Sequence, residues 1–260
     1  MKLFVFDIDN TLVSHYQEES VISTSTKNAL RMIEEMGHHC IIATGRTYNT
    51  TCHIMKEIDI WDAILCNGST IVLNNEVTYN KPIVKDCLED ILKEAREKNI
   101  ATLGFDSHDI YVYDDVVDKE YFNQQIKSFI VPMFQGTNCG IKKFDFSREY
   151  NSISFFTKEK IKKFENISVT IYEEGGYEFM NSCTSKATGI LKYIEMYNFS
   201  KEDVYVFGDN YNDISMFEEF YENSYVLGNA CDEVKNHAKY VCDHIDDDGI
   251  YNAVVDILEV

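Results

Sequence analysis

Along the first quarter of the chain, short runs of consecutive apolar residues each stop at a polar cluster. Leu3-Phe4-Val5-Phe6 gives way to Asp7-Ile8-Asp9-Asn10-Thr11, Cys40 to Ala43 to Thr44-Gly45-Arg46, and Ala63 to Cys66 to Asn67-Gly68. A run that is apolar at every position, and too short for a helix, is the pattern of a strand covered on both faces. Between the first two runs, Ser23 to Met36 opens on Ser/Thr capping residues. It spaces Leu30, Ile33 and Met36 three apart with Ala29 beside them and closes at Gly37, which predicts an amphipathic helix. A second helix is expected over Tyr48 to Ile58. Successive strand and helix alternations predict a parallel α/β sheet.

After Pro82 the rhythm changes. Ile100 to Phe105 and Ile110 to Tyr113 read as strands joined by a hairpin at Asp106-Ser107-His108-Asp109, and Ser152 to Phe156, Val169 to Tyr172 and Tyr177 to Met180 read as further strands. Val116 to Phe129 and Lys158 to Phe164 are the helix candidates of this section, which is α+β with antiparallel pairing over about 81 to 181. The α/β rhythm then returns. Lys186 to Tyr197 places Ala187, Ile190, Leu191, Ile194 and Tyr197 on one helical face, and Val204 to Phe207 is a buried strand ending at Gly208-Asp209-Asn210. Ile214, Phe217 and Tyr221 suit a helix, Tyr225 to Leu227 a strand, and Ile250, Val254 and Ile257 a terminal helix. One α/β domain, residues 1–80 and 182–260, is expected to be interrupted by an inserted α+β domain, residues 81–181.

Composition narrows the partners. The chain has 260 residues, 45% of them hydrophobic, enough to bury a core and to exclude disorder. Its 24 Lys and Arg against 44 Asp and Glu give a formal charge of −20, and it has no basic run of the kind that grips nucleic acid or an anionic membrane. No apolar run approaches the roughly 18 residues that cross a bilayer. Eight cysteines lack any C-x-x-C spacing, and several lie in apolar runs, so they are read as reduced, buried thiols. With no secretory signal ahead of Phe4, the expected location is cytoplasmic, and the Asn-x-Ser/Thr triplets at Asn49 and Asn166 are chance. Only Pro82 and Pro132 punctuate the chain, which has no low-complexity tract or repeat.

In open α/β sheets, ligands bind beyond the carboxyl ends of the strands, where strand order reverses. The polar clusters noted above fall at that edge. Asp7 and Asp9, two apart on extended backbone, can point the same way; Asp209 follows another strand, and Asp213 stands four residues on. Two such charges about 4 Å apart repel by ~4 kcal/mol at an effective dielectric of about 20. A divalent cation would relieve this, and an all-oxygen donor set suits Mg²⁺. Taken singly, each Asp is also what a cap or turn wants, Thr44 could cap a helix, and Lys186 could be a solvated lysine. Coincidence of position weighs against those plainer readings.

Asp7-Ile8-Asp9-Asn10-Thr11, Ala43-Thr44-Gly45-Arg46, Lys186 and Gly208-Asp209-Asn210-Tyr211-Asn212-Asp213 resemble, in order, the four motifs of the haloacid dehalogenase (HAD) superfamily of phosphohydrolases. The insertion after the second motif, and Asn67-Gly68 after a core strand, resemble its Cof-type, subfamily IIB sugar-phosphatase branch with a type C2 cap. The resemblance implies a Rossmann-like core under an inserted cap. It implies that Asp7 is the nucleophile forming an aspartyl-phosphate, and that Asp9 is general acid and then base. Mg²⁺ would be held by Asp7, the Asp9 backbone carbonyl and Asp209, with Asp213 as a ligand or behind one. Thr44 and Lys186 would take the phosphoryl oxygens. Gly45, Arg46, Asn67 and Asn212 complete the implied substrate-binding set, with Asn212 orienting phosphate or Lys186 and Arg46 touching substrate near the entrance.

Two positions depart from the pattern. Asn10 replaces the usual Gly, and Asn is the residue that best tolerates a left-handed turn without being glycine. Lys186 is followed by Ala187-Thr188-Gly189 rather than directly by Gly. Asp at position 9, where the family's ATPases carry Thr, argues for a phosphatase or phosphomutase.

The expected function is a Mg²⁺-dependent phosphatase of a small phosphorylated metabolite, a sugar phosphate or a phosphorylated cofactor such as a flavin or pyridoxal phosphate. The protein would act as a monomer or weak homodimer. A phosphomutase of the same family, or a phosphate-sensing or signalling protein without catalysis, are the alternatives. Tyr111, Tyr113, Tyr177 and His108 are cap residues that could touch substrate, though aromatics on strands are more often packing.

Overall fold

In the computed structural model, which describes residues 1–16, 21–113, 123–124, 126–172 and 176–260, the run Leu3–Phe6 is strand β1 and has no exposed side chain. Burying such side chains is worth roughly 1.5–3 kcal/mol each, so this strand anchors the sheet. It is followed by α1 (Thr24–Glu35), β2 (His39–Ala43), α2 (Tyr48–Ile58), β3 (Ala63–Leu65), β4 (Thr70–Leu73) and β5 (Glu76–Asn80). The later part of this sheet comprises α4 (Lys186–Tyr197), β12 (Val204–Gly208), α5 (Ile214–Glu219), β13 (Ser224–Val226), α6 (Asp232–Lys235), β14 (Tyr240–Val241) and α7 (Gly249–Leu258).

The strands run in the order β14-β13-β12-β1-β2-β3-β4-β5, parallel from β14 to β3 and antiparallel through β4 and β5. Side chains alternate between two cores. Phe4 and Phe6 pack with Leu30, Ile33, Ile54 and Val254 on the face covered by α1, α2 and α7. Leu3 and Val5 pack with Ile190, Tyr193 and Phe217 on the face covered by α4 and α5. The sheet is therefore doubly wound, and its order reverses between β1 and β12, so the crevice lies where Asp7 and Asp209 emerge.

Between β5 and α4 lie α3 (Lys85–Glu97), β6 (Ala101–Phe105), β7 (Ile110–Tyr113), β8 (Lys142–Lys143), β9 (Ser152–Phe156), β10 (Ile167–Tyr172) and β11 (Gly176–Asn181). They form a second sheet, β10-β11-β9-β6-β7-β8, antiparallel except for the β7–β8 pair. Helix α3 covers one face through Leu88, Ile91, Leu92 and Ala95, against Ile153, Phe155 and Phe179.

Several elements differ from the sequence reading. No element is expected above for α3, β4, β5 or β14, yet Leu88, Ile91, Leu92 and Ala95 have plain helical spacing. Lys158–Phe164 is not helical: its Ile161 and Phe164 reach the inserted core from an irregular strand connection. The expected helix Val116–Phe129 falls partly outside the described residues; Ile126–Ile130 is a π-helical turn, followed by a 3₁₀ turn at Val131–Phe134. Tyr221 lies past the end of α5 and is exposed. The eight cysteines are free thiols, but only Cys40 and Cys66 are buried, while Cys139, Cys183 and Cys231 are exposed. Among the described residues no helix is long and apolar enough to cross a membrane.

Candidate active site

The backbone N–H of Asp7 donates to the carbonyl of Phe207 at 2.9 Å, carrying the β1–β12 pairing one residue past β1 and fixing where the carboxylate emerges. Opposite it, α4 begins at a cap, with the Ser185 hydroxyl accepting from the Thr188 N–H. The first residue of this helix, Lys186, is wholly buried and donates from Nζ to Asp7 Oδ1 at 2.6 Å and to Asp213 Oδ1 at 2.5 Å. The other oxygen of Asp213 accepts the backbone N–H groups of Asp209 and Asn210, both at 2.9 Å. That approach requires Gly208, since a Cβ there would lie 2.4 Å from Asp213 Cγ. The helix is itself set by a close contact with the loop after β3: Gly68 has φ +98°, and a Cβ on it would lie 1.9 Å from the Ser185 carbonyl oxygen.

Asp209 is buried and accepts from the Thr11 hydroxyl at 3.0 Å, with the Asn229 amide at 3.5 Å. Thr11 is delivered by the turn after β1, in which Asn10 takes the left-handed conformation, φ 56°, that its side chain tolerates. Carboxylate oxygens of Asp7, Asp209 and Asp213 all lie within 4.8 Å of one another. Burial pushes Asp7 up to about 7; Lys186 draws it back only in part, and Asp213 and Asp9 add to the rise. Burial, then the charges of Asp213 and Asp7, put Asp209 well above the usual carboxylate range. Lys186 is held above its ordinary value because Asp213 and Asp7 outweigh the burial that would lower it.

Asp9 points elsewhere. Arg46 Nε donates to its Oδ2 at 3.0 Å and Arg46 Nη2 to its Oδ1 at 2.6 Å, and His15 Nε2 lies 2.7 Å from the same Oδ1. Burial raises the Asp9 carboxyl, but Arg46 and His15 more than offset this and hold it below its ordinary value. Its carboxylate is not one of the converging group, so any metal contact from Asp9 has to come from its backbone. Arg46 is itself buried, with Nη1 donating to the carbonyls of Thr50 at 3.1 Å and, across in the inserted section, Met133 at 3.5 Å. Its guanidinium clamps Asp9 rather than lying open at an entrance.

The remaining expected residues gather at the neighbouring strand ends. The Thr44 hydroxyl accepts from the Arg46 N–H, and its carbonyl accepts from the Asn67 N–H at 3.0 Å. The Asn67 amide lies across Gly45, where a Cβ would be 3.2 Å from it, and its Oδ1 accepts from Asn212 Nδ2 at 3.0 Å. The Asn67 Nδ2 donates towards both carboxylate oxygens of Glu178 on β11, at 3.4 and 3.5 Å. Glu178, His15, Thr11 and Asn229 have no place in the sequence-based site. Thr11 stands inside the first motif, whereas Glu178 comes near only because the second sheet docks against the first. Three of the four aromatic candidates stay within the inserted sheet's packing, where the Tyr111 hydroxyl donates to Asp106, Tyr113 packs on Phe144 and the Tyr177 hydroxyl donates to the Glu159 carbonyl, whereas the His108 ring, with Nδ1 on Ser107, also lies against Tyr48 of α2.

One buried ammonium thus serves two of three clustered carboxylates, and among the described residues Asp209 meets neutral donors at its oxygens. Such an excess of buried negative charge, offered through hard oxygen atoms, fits a divalent cation. The inserted section is hydrogen-bonded to the loops at this edge. The N–H groups of Tyr48 and Asn49 donate to the Ser107 and His108 carbonyls at 3.0 Å, and Asn151 Nδ2 donates to Ser69 Oγ at 2.8 Å and Asn80 Oδ1 at 2.6 Å.

A doubly wound core with this cluster at its switch point defines a hydrolase of the phosphoryl-transfer kind, and the comparisons agree. Residues 4–254 match the family model of the haloacid dehalogenase-like hydrolases, and the chain belongs to that family. It is 29% identical to YkrA of Bacillus subtilis (strain 168), covering 98% of this chain and 97% of that protein. It is 26% identical to YcsE of the same strain, a 5-amino-6-(5-phospho-D-ribitylamino)uracil phosphatase, covering 98% and 94%. The fold matches the solved structure of the HAD subclass IIB sugar phosphatase BT4131 with a TM-score of 0.84 at 24% identity, covering 100% of both chains.

Proposed function

We propose that the protein is a Mg²⁺-dependent phosphatase of small phosphorylated metabolites that works through an aspartyl-phosphate on Asp7. The observation that carries this reading is the buried cluster of Asp7, Asp209 and Asp213, two of which share the ammonium of Lys186. Mg²⁺ would be held by Asp7, Asp209 and the Asp9 backbone carbonyl, and when bound it would offset the charge between the attacking carboxylate and the phosphate dianion. Asp213, whose oxygens are taken by Lys186 and two backbone N–H groups, serves as the group that orients that lysine and the Asp209 loop.

Asp7 attacks phosphorus with a carboxylate oxygen as the bond to the leaving oxygen breaks, and Lys186 and Thr44 stabilise the phosphoryl oxygens in transit. Asp9 supplies a proton to the leaving oxygen and then removes one from the water that hydrolyses the acyl phosphate. The clamp of Arg46 and His15 holds Asp9 as the carboxylate, the form required for the second step. The first step requires that clamp to loosen. Residues 81–181 act as a cap on 1–80 and 182–260, closing out the water that would compete with Asp7.

The relatives support a metabolite with a hydroxyl-bearing carbon chain, since YcsE acts on a ribityl phosphate and BT4131 is a sugar phosphatase. The test is phosphate release from a panel of sugar, alditol, nucleotide and cofactor phosphates, with Mg²⁺ and with chelator, for the wild type and Asp7→Asn. Metal-dependent release by the wild type, falling by about 10³-fold or more in the folded variant, is the expected result. Release that persists in chelator or in Asp7→Asn would remove the mechanism.

A further inference from the structure

Helix α2 and the inserted section face each other across a cleft of about 360 Å³ that none of the clustered carboxylates lines. One wall is α2, through Tyr48, Asn49, Cys52 and His53; the other is the segment Gly136–Cys139, which follows the 3₁₀ turn. Each wall carries a free thiol, Cys52 half-buried on the helix and Cys139 exposed on the segment. We propose that these two are a redox modification site, a thiol pair that a small-molecule disulfide oxidises to a cystine, fastening the inserted section to the core.

The segment already rests on the helix. Gly136, at φ +75°, comes so close to α2 that a Cβ on it would lie 3.1 Å from His53 Cδ2, and just before it the Met133 carbonyl accepts from Arg46 Nη1 at 3.5 Å. The Cys139 N–H then donates to Thr137 Oγ1 at 3.3 Å, and a Cβ on the following Gly140 would meet nothing within 4 Å, so Cys139 can approach α2 without displacing packed atoms. A cystine needs its Cβ atoms within about 4.5 Å, which an exposed segment lining the same cleft can reach. On the helix side, Cys52 Sγ gives up only a weak bond to the Asn49 carbonyl, at 3.9 Å. The two thiols are also within electrostatic reach, since burial raises Cys52 and the charge of Cys139 raises it further.

Exposure and burial divide the roles. Cys139 loses its proton to water and its thiolate attacks one sulfur of the small disulfide, breaking that S–S bond and releasing one small thiolate, which takes up a proton. Cys52, kept as the thiol by its burial, then gives up its proton and attacks the Cys139 sulfur of the mixed disulfide, forming the protein cystine and expelling the second small thiol. Two electrons pass from the pair to the oxidant, and a thiol reductant reverses both steps. On the phosphatase reading above, the cystine holds the cap shut and substrate cannot enter.

The test incubates the chain with oxidised glutathione, alkylates the remaining thiols and digests without reductant. The expected result is a peptide pair joined through Cys52 and Cys139, absent after dithiothreitol, and a Tm above that of the reduced protein. Cys139→Ser, at an exposed position, is expected to show neither. Glutathione retained on Cys139 while Cys52 is alkylated, or Cys139 joined to another cysteine, overturns the assignment, and that readout needs only the wild type. Mg²⁺-dependent turnover of p-nitrophenyl phosphate is expected to fall at least tenfold in the linked protein, to return with dithiothreitol, and to hold steady in oxidised Cys139→Ser. Linked protein that turns over at the reduced rate overturns the fastening. Reduced protein with no Mg²⁺-dependent turnover removes the phosphatase reading instead, and the linked peptide pair still decides the modification site.

Discussion

Gly208 is the residue on which the geometry of the acidic cluster turns. With no side chain it lets Asp213 come close enough to accept from the two N–H groups that follow. Gly208→Ala would force a Cβ to within 2.4 Å of Asp213 Cγ, so the carboxylate has to leave its place. We expect a stability loss of about 1–3 kcal/mol, as for other overpacked sites, and a larger fall in kcat than in 1/KM because Lys186 loses its orienting partner. Denaturant melts and steady-state kinetics on one preparation separate the two effects. At this scale the sequence was most legible where chemistry follows a strand end. Asp7, Asp209 and Asp213 meet at one strand edge, whereas Asp9, expected to point the same way as Asp7, turns to Arg46, and Lys186, which only the resemblance put in the site, bonds to Asp7 and Asp213. It was least legible where a side chain's direction decides: nothing in Asp9 or Arg46 taken separately shows that one clamps the other.

Between elements, Asp62 ties the start of β3 to α4, accepting from the Tyr193 hydroxyl at 2.7 Å and from the Asn74 N–H at 2.8 Å, with His39 Nε2 at 3.8 Å. Burial alone would raise its carboxyl, but His39, Asn74 and Tyr193 together hold it below its ordinary value. A group lowered on folding contributes stability that is fully present above its unfolded pKa and is lost as pH falls through the folded value. Asp62→Ala is therefore expected to cost about 1–3 kcal/mol at neutral pH, and the difference from wild type should shrink in acid, below about pH 4. Urea midpoints measured across pH check both parts. Elements with a buried apolar run or a strong helical face, such as β1 and α4, could be read directly from sequence. The edge strand β14 is two exposed residues, Tyr240 and Val241, and carries no such pattern, while Ile161 and Phe164 mimic a helical face from irregular backbone.

For the whole molecule, the reversal of strand order between β1 and β12 concentrates negative charge that folding alone leaves unbalanced. A cation that binds only the folded chain stabilises it by mass action. Adding Mg²⁺ to chelated protein should raise Tm in a concentration-dependent way, and the gain should vanish in Asp209→Asn. An equal gain in that variant would place the binding elsewhere. The overall plan of an interrupted α/β sheet follows from two rhythms in one chain, but the docking of one sheet on the other does not, since it depends on loops such as Asp106–Asp109 whose sequence reads only as a turn.

That docking makes the molecule its own gauge. The first N–H groups of α2, on Tyr48 and Asn49, have no carbonyl within the helix to receive them and instead donate to Ser107 and His108 of the inserted hairpin. If residues 81–181 act as the proposed cap, these amide protons exchange with solvent deuterium through its opening, and protection there reports the free energy of that opening. A phosphate analogue that favours the shut form should slow exchange in the peptide holding Tyr48 and Asn49 while leaving the amides of β1 unchanged. Deuterium uptake there would give the population of the open form without an attached dye or turnover.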